Sequence, residues 1–81
     1  MAVKILYFAG LREALGAGGE SLELPAGIAT VGALRDLLAA RHAALLTTKN
    51  LRAAVNQRMA GMDAPVADGD EVAFFPPVTG G

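Results

Sequence analysis

Cysteine and tryptophan are absent from the chain, histidine occurs once, and aromatic residues make up only 5% of it. Without cysteine there is no disulfide framework, no thiolate nucleophile and no thiolate metal site. A small secreted domain generally relies on such a staple, so the expected setting is a reducing cytoplasm. Basic residues are scarce as well. Seven Lys and Arg against eight Asp and Glu give a formal net charge of −1, with no basic stripe to neutralise a phosphate backbone. Nucleic acid is therefore not an expected partner. Long apolar runs are missing too: Val3 to Phe8 is broken by Lys4 and is too short for a signal-peptide core or a membrane span. No membrane partner is expected.

What the chain does have is apolar content, 53% of 81 residues with only 19% charged, which suits one compact domain with a single core. AVKILYFA at 2–9 is rich in β-branched and aromatic side chains and reads as a strand. LREALG at 11–16 reads as a short helical turn closed by glycine, and GAGG leads on to a second strand over 20–24, paired with the first. Thr30 can cap a helix in which Val31, Leu34, Leu37, Leu38 and Leu45 share a face, with His42 near its C-terminal end where a cation suits the dipole. Ala53 and Val55 alternate in a third strand, and a short fourth surrounds Met59. After the turns at 63–65 and 68–70 a last strand runs from Glu71 to Phe75, with Val72 and Phe74 on one face. The order ββαβββ predicts an α+β fold of the β-grasp type, a mixed sheet of four to five strands packed on one main helix. The body spans 1–75 and an extended tail spans 76–81.

That tail, Pro76-Pro77-Val78-Thr79-Gly80-Gly81, carries the most chemistry. Two prolines lack amide hydrogens and hold the polyproline conformation, so the last strand stops and the chain leaves extended. Six residues reach roughly 20 Å, enough to enter a pocket on another protein. Two glycines without Cβ atoms let a carboxylate pass a narrow channel and be attacked from either side. A free α-carboxylate is an anion at neutral pH and a poor electrophile, so it needs activation, for which ATP-dependent adenylation is the suitable chemistry.

Alternation in the first and last strands also sets Leu6 and Phe8 beside Ala73 and Phe75, opposite Ile5, Tyr7, Val72 and Phe74. One helix covers one sheet face, which leaves Leu6, Phe8 and Phe75 as candidate partner-binding residues. Other motifs carry less. Asp68-Gly69-Asp70-Glu71 lacks the spaced ligand series of a calcium loop, and Gly16-Ala17-Gly18-Gly19 lacks the Lys-Ser/Thr of a phosphate loop. Met59 and Met62 read as gap-filling or partly exposed apolar residues.

AAVNQ at 53–57 followed by DGDEVAFFPPVTGG at 68–81 resembles the small subunits of molybdopterin synthase, as do VKILYFAGLREALG and TVGALRDLLAARH, with a looser likeness over 43–51. The resemblance implies a ubiquitin-like β-grasp sulfur carrier. Gly81 would be adenylated by a ubiquitin-activating-type adenylyltransferase that consumes ATP. The glycyl adenylate would become a thiocarboxylate and supply sulfur to cyclic pyranopterin monophosphate inside a large subunit, in a heterotetramer of two small and two large subunits. The tail residues Pro76, Pro77, Val78, Thr79 and Gly80 would enter the partner's active site. The carrier is then a consumed co-substrate that binds no cofactor itself, and catalysis resides mainly in the large subunit. Rival readings are a carrier for thiamine or tRNA thiolation, a protein modifier joined to lysines, and a plain interaction domain.

Overall fold

The alternation of AVKILY resolves into a strand with two unlike faces. Val3, Ile5 and Tyr7 are buried, whereas Ala2 and Lys4 are exposed. The computed structural model describes residues 2–77, in the order β1 (Ala2–Tyr7), α1 (Ala9–Leu15), β2 (Gly19–Glu23), α2 (Val31–Ala39), α3 (Ala44–Thr47), β3 (Arg52–Val55), β4 (Arg58–Ala60) and β5 (Glu71–Phe75). The five strands form one mixed sheet in the order β2-β1-β5-β3-β4. β5 lies at its centre, parallel to β1 and antiparallel to β3. Val78, Thr79, Gly80 and Gly81 of the expected tail lie outside the described residues.

The core lies between one sheet face and the helices. Val3, Ile5, Tyr7, Ala53, Val72 and Phe74 meet Leu11 of α1, Val31, Leu34 and Leu38 of α2, and Leu45 of α3. Each large apolar side chain so buried contributes about 1.5 to 3 kcal/mol of transfer free energy. Thr30 caps α2 as expected, its Oγ1 accepting from the Ala33 N–H at 3.1 Å. Gly16 closes α1 at φ 71, a conformation glycine adopts without a Cβ penalty.

The helix expected through Leu45 ends instead at Ala39. The Arg41 and His42 N–H groups both donate to the Leu38 carbonyl, tightening the final turn, and the chain bends before α3 starts. Leu45 still reaches the core, from a separate helix, while Leu37 is exposed. β1 likewise ends two residues early. Phe8 is the N-cap of α1, and Ala9 turns the chain with φ 54.

His42 lies beyond the helix and does not serve as its cap. Its Nε2 is 3.1 Å from Glu20 Oε2, and its ring meets Tyr7 edge to face. The Tyr7 hydroxyl donates to the same Glu20 oxygen at 2.8 Å, and Arg41 Nη2 donates to Oε1 at 2.7 Å. One carboxylate on β2 thus gathers β1 and the α2–α3 connection. Burial raises the Tyr7 pKa, reinforced by the hydrogen bond to Glu20 and its charge. For Glu20 burial acts upward, but the hydrogen bonds from Tyr7 and His42 and the Arg41 charge outweigh it, and its pKa is lowered.

A second tie joins the β3–β4 hairpin to the start of β5. Asn56 and Gln57 occupy the hairpin turn at φ 51 and 68, the left-handed pair that matches strand twist. Asn56 Nδ2 donates to Asp70 Oδ1, and Asn56 Oδ1 accepts from the Glu71 N–H, both at 3.0 Å. The Ala67 N–H donates to Asp70 Oδ2 at 2.9 Å. The hydrogen bond from Asn56, then that from Ala67, lowers the Asp70 pKa.

Two predictions follow from these ties. Asn56→Ala should cost about 2 kcal/mol, since it removes two side-chain hydrogen bonds and places a Cβ residue without a polar group in the left-handed region. In thermal unfolding this is a loss of roughly 8 to 16 °C, and an unchanged midpoint would show the clasp to be inert. Because the folded-state pKa of Glu20 lies below its unfolded value, its stabilisation is present above the unfolded pKa and is lost as pH falls through the folded one. Glu20→Gln should therefore lose less stability than the parent between about pH 5 and pH 3 in denaturant titrations, and equal losses would remove Glu20 from the acid response.

Candidate functional site

Parallel pairing of β5 with β1 brings the C-terminal ends of both strands to one end of the sheet. Leu6 lies opposite Ala73, and the Phe8 N–H donates to the Phe74 carbonyl at 3.2 Å. Phe8, 46% exposed, therefore stands beside the place where the chain leaves β5. Phe75, Pro76 and Pro77 are half-buried there, and Leu6 is half-buried one row back. The sheet so brings together Leu6, Phe8, Phe75, Pro76 and Pro77. Val78, Thr79, Gly80 and Gly81 are outside the described residues.

Strand registers extend the face further than alternation in two strands reveals. Ala73 pairs with Ala54, and Ala54 with Met59, so Leu6, Ala73, Ala54 and Met59 form one row across four strands. Met59 is 64% exposed, and it belongs to this outer surface. In the middle of the row Ala54 is half-buried and Ala73 only 8% exposed, between Leu6 and Met59. In the next row Arg52 pairs with Phe75. The signal for Ala54 and Met59 was present in the sequence, since a two-residue turn at Asn56-Gln57 fixes the register of the hairpin. The signal for Arg52 was not, because its neighbour belongs to a strand nineteen or more residues away.

Electrostatically the face is divided. At the end remote from the tail Lys4 lies opposite Glu71 in the register. On the half next to the tail, among the described residues, Arg52 is the one charged side chain, and it is exposed. No three His, Cys, Asp or Glu side chains converge among the described residues. No helix among them is long and apolar enough to cross a membrane. What these residues offer is a surface, an apolar patch around the root of an exiting chain, with the only buried-side polar cluster, at Glu20, on the opposite face of the sheet.

Comparison with known proteins bears on that arrangement. The chain is 50% identical over 82 residues to the molybdopterin synthase sulfur carrier subunit of Escherichia coli, covering 98% of this chain and 99% of the relative. The H. volcanii small archaeal modifier protein 1 superposes with a TM-score of 0.79 at 30% identity, over 95% of this chain and 98% of that one. A chain of the Amycolatopsis orientalis BexX/CysO complex superposes with a TM-score of 0.70 at 28% identity, over 99% and 100%. The model of the ThiS family matches residues 5–81. With that match, the likeness over its whole length and a five-stranded ubiquitin-like β-grasp sheet, the chain belongs to the ThiS family.

Proposed function

We propose that this chain is the sulfur carrier subunit of a molybdopterin synthase and that Gly81 is its working residue. The observation that carries the reading is the tail root: β5 ends at the centre of the sheet, and Pro76 and Pro77 follow it, half-buried, beside an apolar face. The likeness to the E. coli subunit over the whole chain supports it. In the proposed cycle a ubiquitin-activating-type adenylyltransferase lets a Gly81 carboxylate oxygen attack the α-phosphorus of ATP, expelling pyrophosphate. Sulfide then displaces AMP from the acyl carbon. A persulfide donor would instead leave an acyl disulfide, which a thiol opens. Either route gives the thiocarboxylate, whose sulfur displaces an oxygen substituent from a carbon of cyclic pyranopterin monophosphate within the large subunit, after which water cleaves the acyl–sulfur bond and restores the Gly81 carboxylate. Two spent carriers complete one dithiolene, which matches an assembly of two small and two large subunits. The chain itself binds no cofactor in this scheme.

Pro76 to Gly80 serve as the stiff arm that delivers Gly81, and Leu6, Phe8 and Phe75 dock the body against the large subunit. A rival reading, a protein modifier, is favoured by the likeness to the H. volcanii small archaeal modifier protein 1. Lysine-linked conjugates in cell extract would support it over the carrier.

The sulfurated protein should carry an oxygen-to-sulfur replacement that fragment mass spectrometry places on Gly81. Methionine oxidation gives the same nominal shift, so finding it only on Met1, Met59 or Met62 removes the support. Deleting Gly81 should abolish sulfur transfer with an unchanged melting temperature, and loss of both together would make the tail structural. Phe75→Ala should weaken the complex with the large subunit by roughly 30-fold or more, as truncating an anchoring aromatic costs about 2 kcal/mol. Titration calorimetry on folded Phe8→Ala and Phe75→Ala proteins checks this, and unchanged affinity in both would discard the docking face.

A further inference from the structure

Arg52 occupies an unusual place for a charge. It pairs in register with Phe75 on the outer face, one residue before the two prolines. A shallow hollow of about 310 Å³ beside it is lined by Asn50, Leu51, Arg52 and Pro77. Among the described residues its guanidinium has no hydrogen-bond, ion-pair or aromatic partner. Other cations without an ion pair are placed differently. Lys4 faces Glu71 across the strands, Arg58 of β4 pairs with Val55 of β3 on the helix-side face, Arg12 lies over Gly18, and Lys49 is in the loop after α3. Among the described residues only Arg52 combines an exposed charge with the apolar patch and the tail root.

Burying the apolar face against a partner would strip part of the water from a guanidinium at its border, and a desolvated cation left unpaired is costly. A planar fork of donors is best matched by a carboxylate. We propose that the large subunit presents an Asp or Glu side chain at the mouth of its tail channel, seated in the hollow between Arg52 and Pro77, and that this pair sets the register of docking and speeds encounter. The proposal rests on the docking reading of the apolar face. A rim charge of this kind acts chiefly on the association rate and its salt dependence, whereas a buried aromatic anchor acts chiefly on dissociation.

The test is stopped-flow association of the full-length carrier with its large subunit at about 20 mM and 500 mM salt, where screening lengths differ several-fold. Arg52→Glu should slow association about tenfold at low salt and much less at high salt, while Arg52→Lys keeps most of the rate. Phe75→Ala serves as the control for the face itself, with faster dissociation and a nearly unchanged on-rate. If Arg52→Glu leaves association and its salt dependence unaltered while Phe75→Ala still speeds dissociation, the face stands and the Arg52 pairing falls. If both variants behave as the parent, the docking reading falls with it. Slowed association with the activating enzyme alone would overturn the assignment to the large subunit.

Discussion

The position of β5 at the centre of the sheet is the constraint on which the rest depends. A strand hydrogen-bonded to β1 on one side and β3 on the other is not an edge strand: Phe74 is paired on both sides, with Tyr7 and Ala53, and Phe75 with Arg52. Parallel pairing with β1 also means that both strands run toward the same end. Phe8 therefore arrives beside Phe75, and Pro76 starts from a fixed point with a fixed direction. A tail hung on an edge strand would share neither property. In the proposed carrier role an arm is useful only if its root is rigid, since an uncertain root would add its own entropy to each insertion.

The two faces of the sheet divide the work. The helix-side face holds the core and the Glu20 cluster, in which Tyr7, Arg41 and His42 each spend a polar group on one carboxylate. That cluster lies on the face opposite the apolar patch and draws the α2–α3 connection onto β2. Asn56 does similar work at the other end of β5, where it satisfies Asp70 and the Glu71 N–H together. The AAVNQ and DGD segments, read in sequence as family marks, thus meet as a structural clasp that positions the strand from which the tail departs. The outer face is left free of such ties, and its central residues, Ala54 and Ala73, are small.

Much of the fold was legible because local rules coincide with the tertiary answer. Val3, Ile5 and Tyr7 alternate because one sheet face is buried, and Thr30 caps a helix because its hydroxyl meets an orphan N–H three residues on. The end of the main helix was less legible. Leu45 lies seven residues after Leu38, which suits a continuous helix as well as a bent one. At the bend Arg41 and His42 contact a residue on β2, a pairing that helical periodicity does not encode. The apolar outer face was half legible: Leu6, Phe8 and Phe75 follow from alternation, whereas joining Met59 to the same row needs the strand order as well as the hairpin register.

By itself the sequence determined which side of β1 and of β5 faces inward, that a helix begins after Thr30, and that the last strand stops before Pro76, because these depend on side-chain period, a cap and a missing amide hydrogen. The tertiary structure alone decided the strand order, the placement of Arg52 beside Phe75, and the meeting of His42 with Glu20. Those contacts join residues some twenty apart in the chain, and their pairing is set by how the sheet as a whole buries its core rather than by any local pattern.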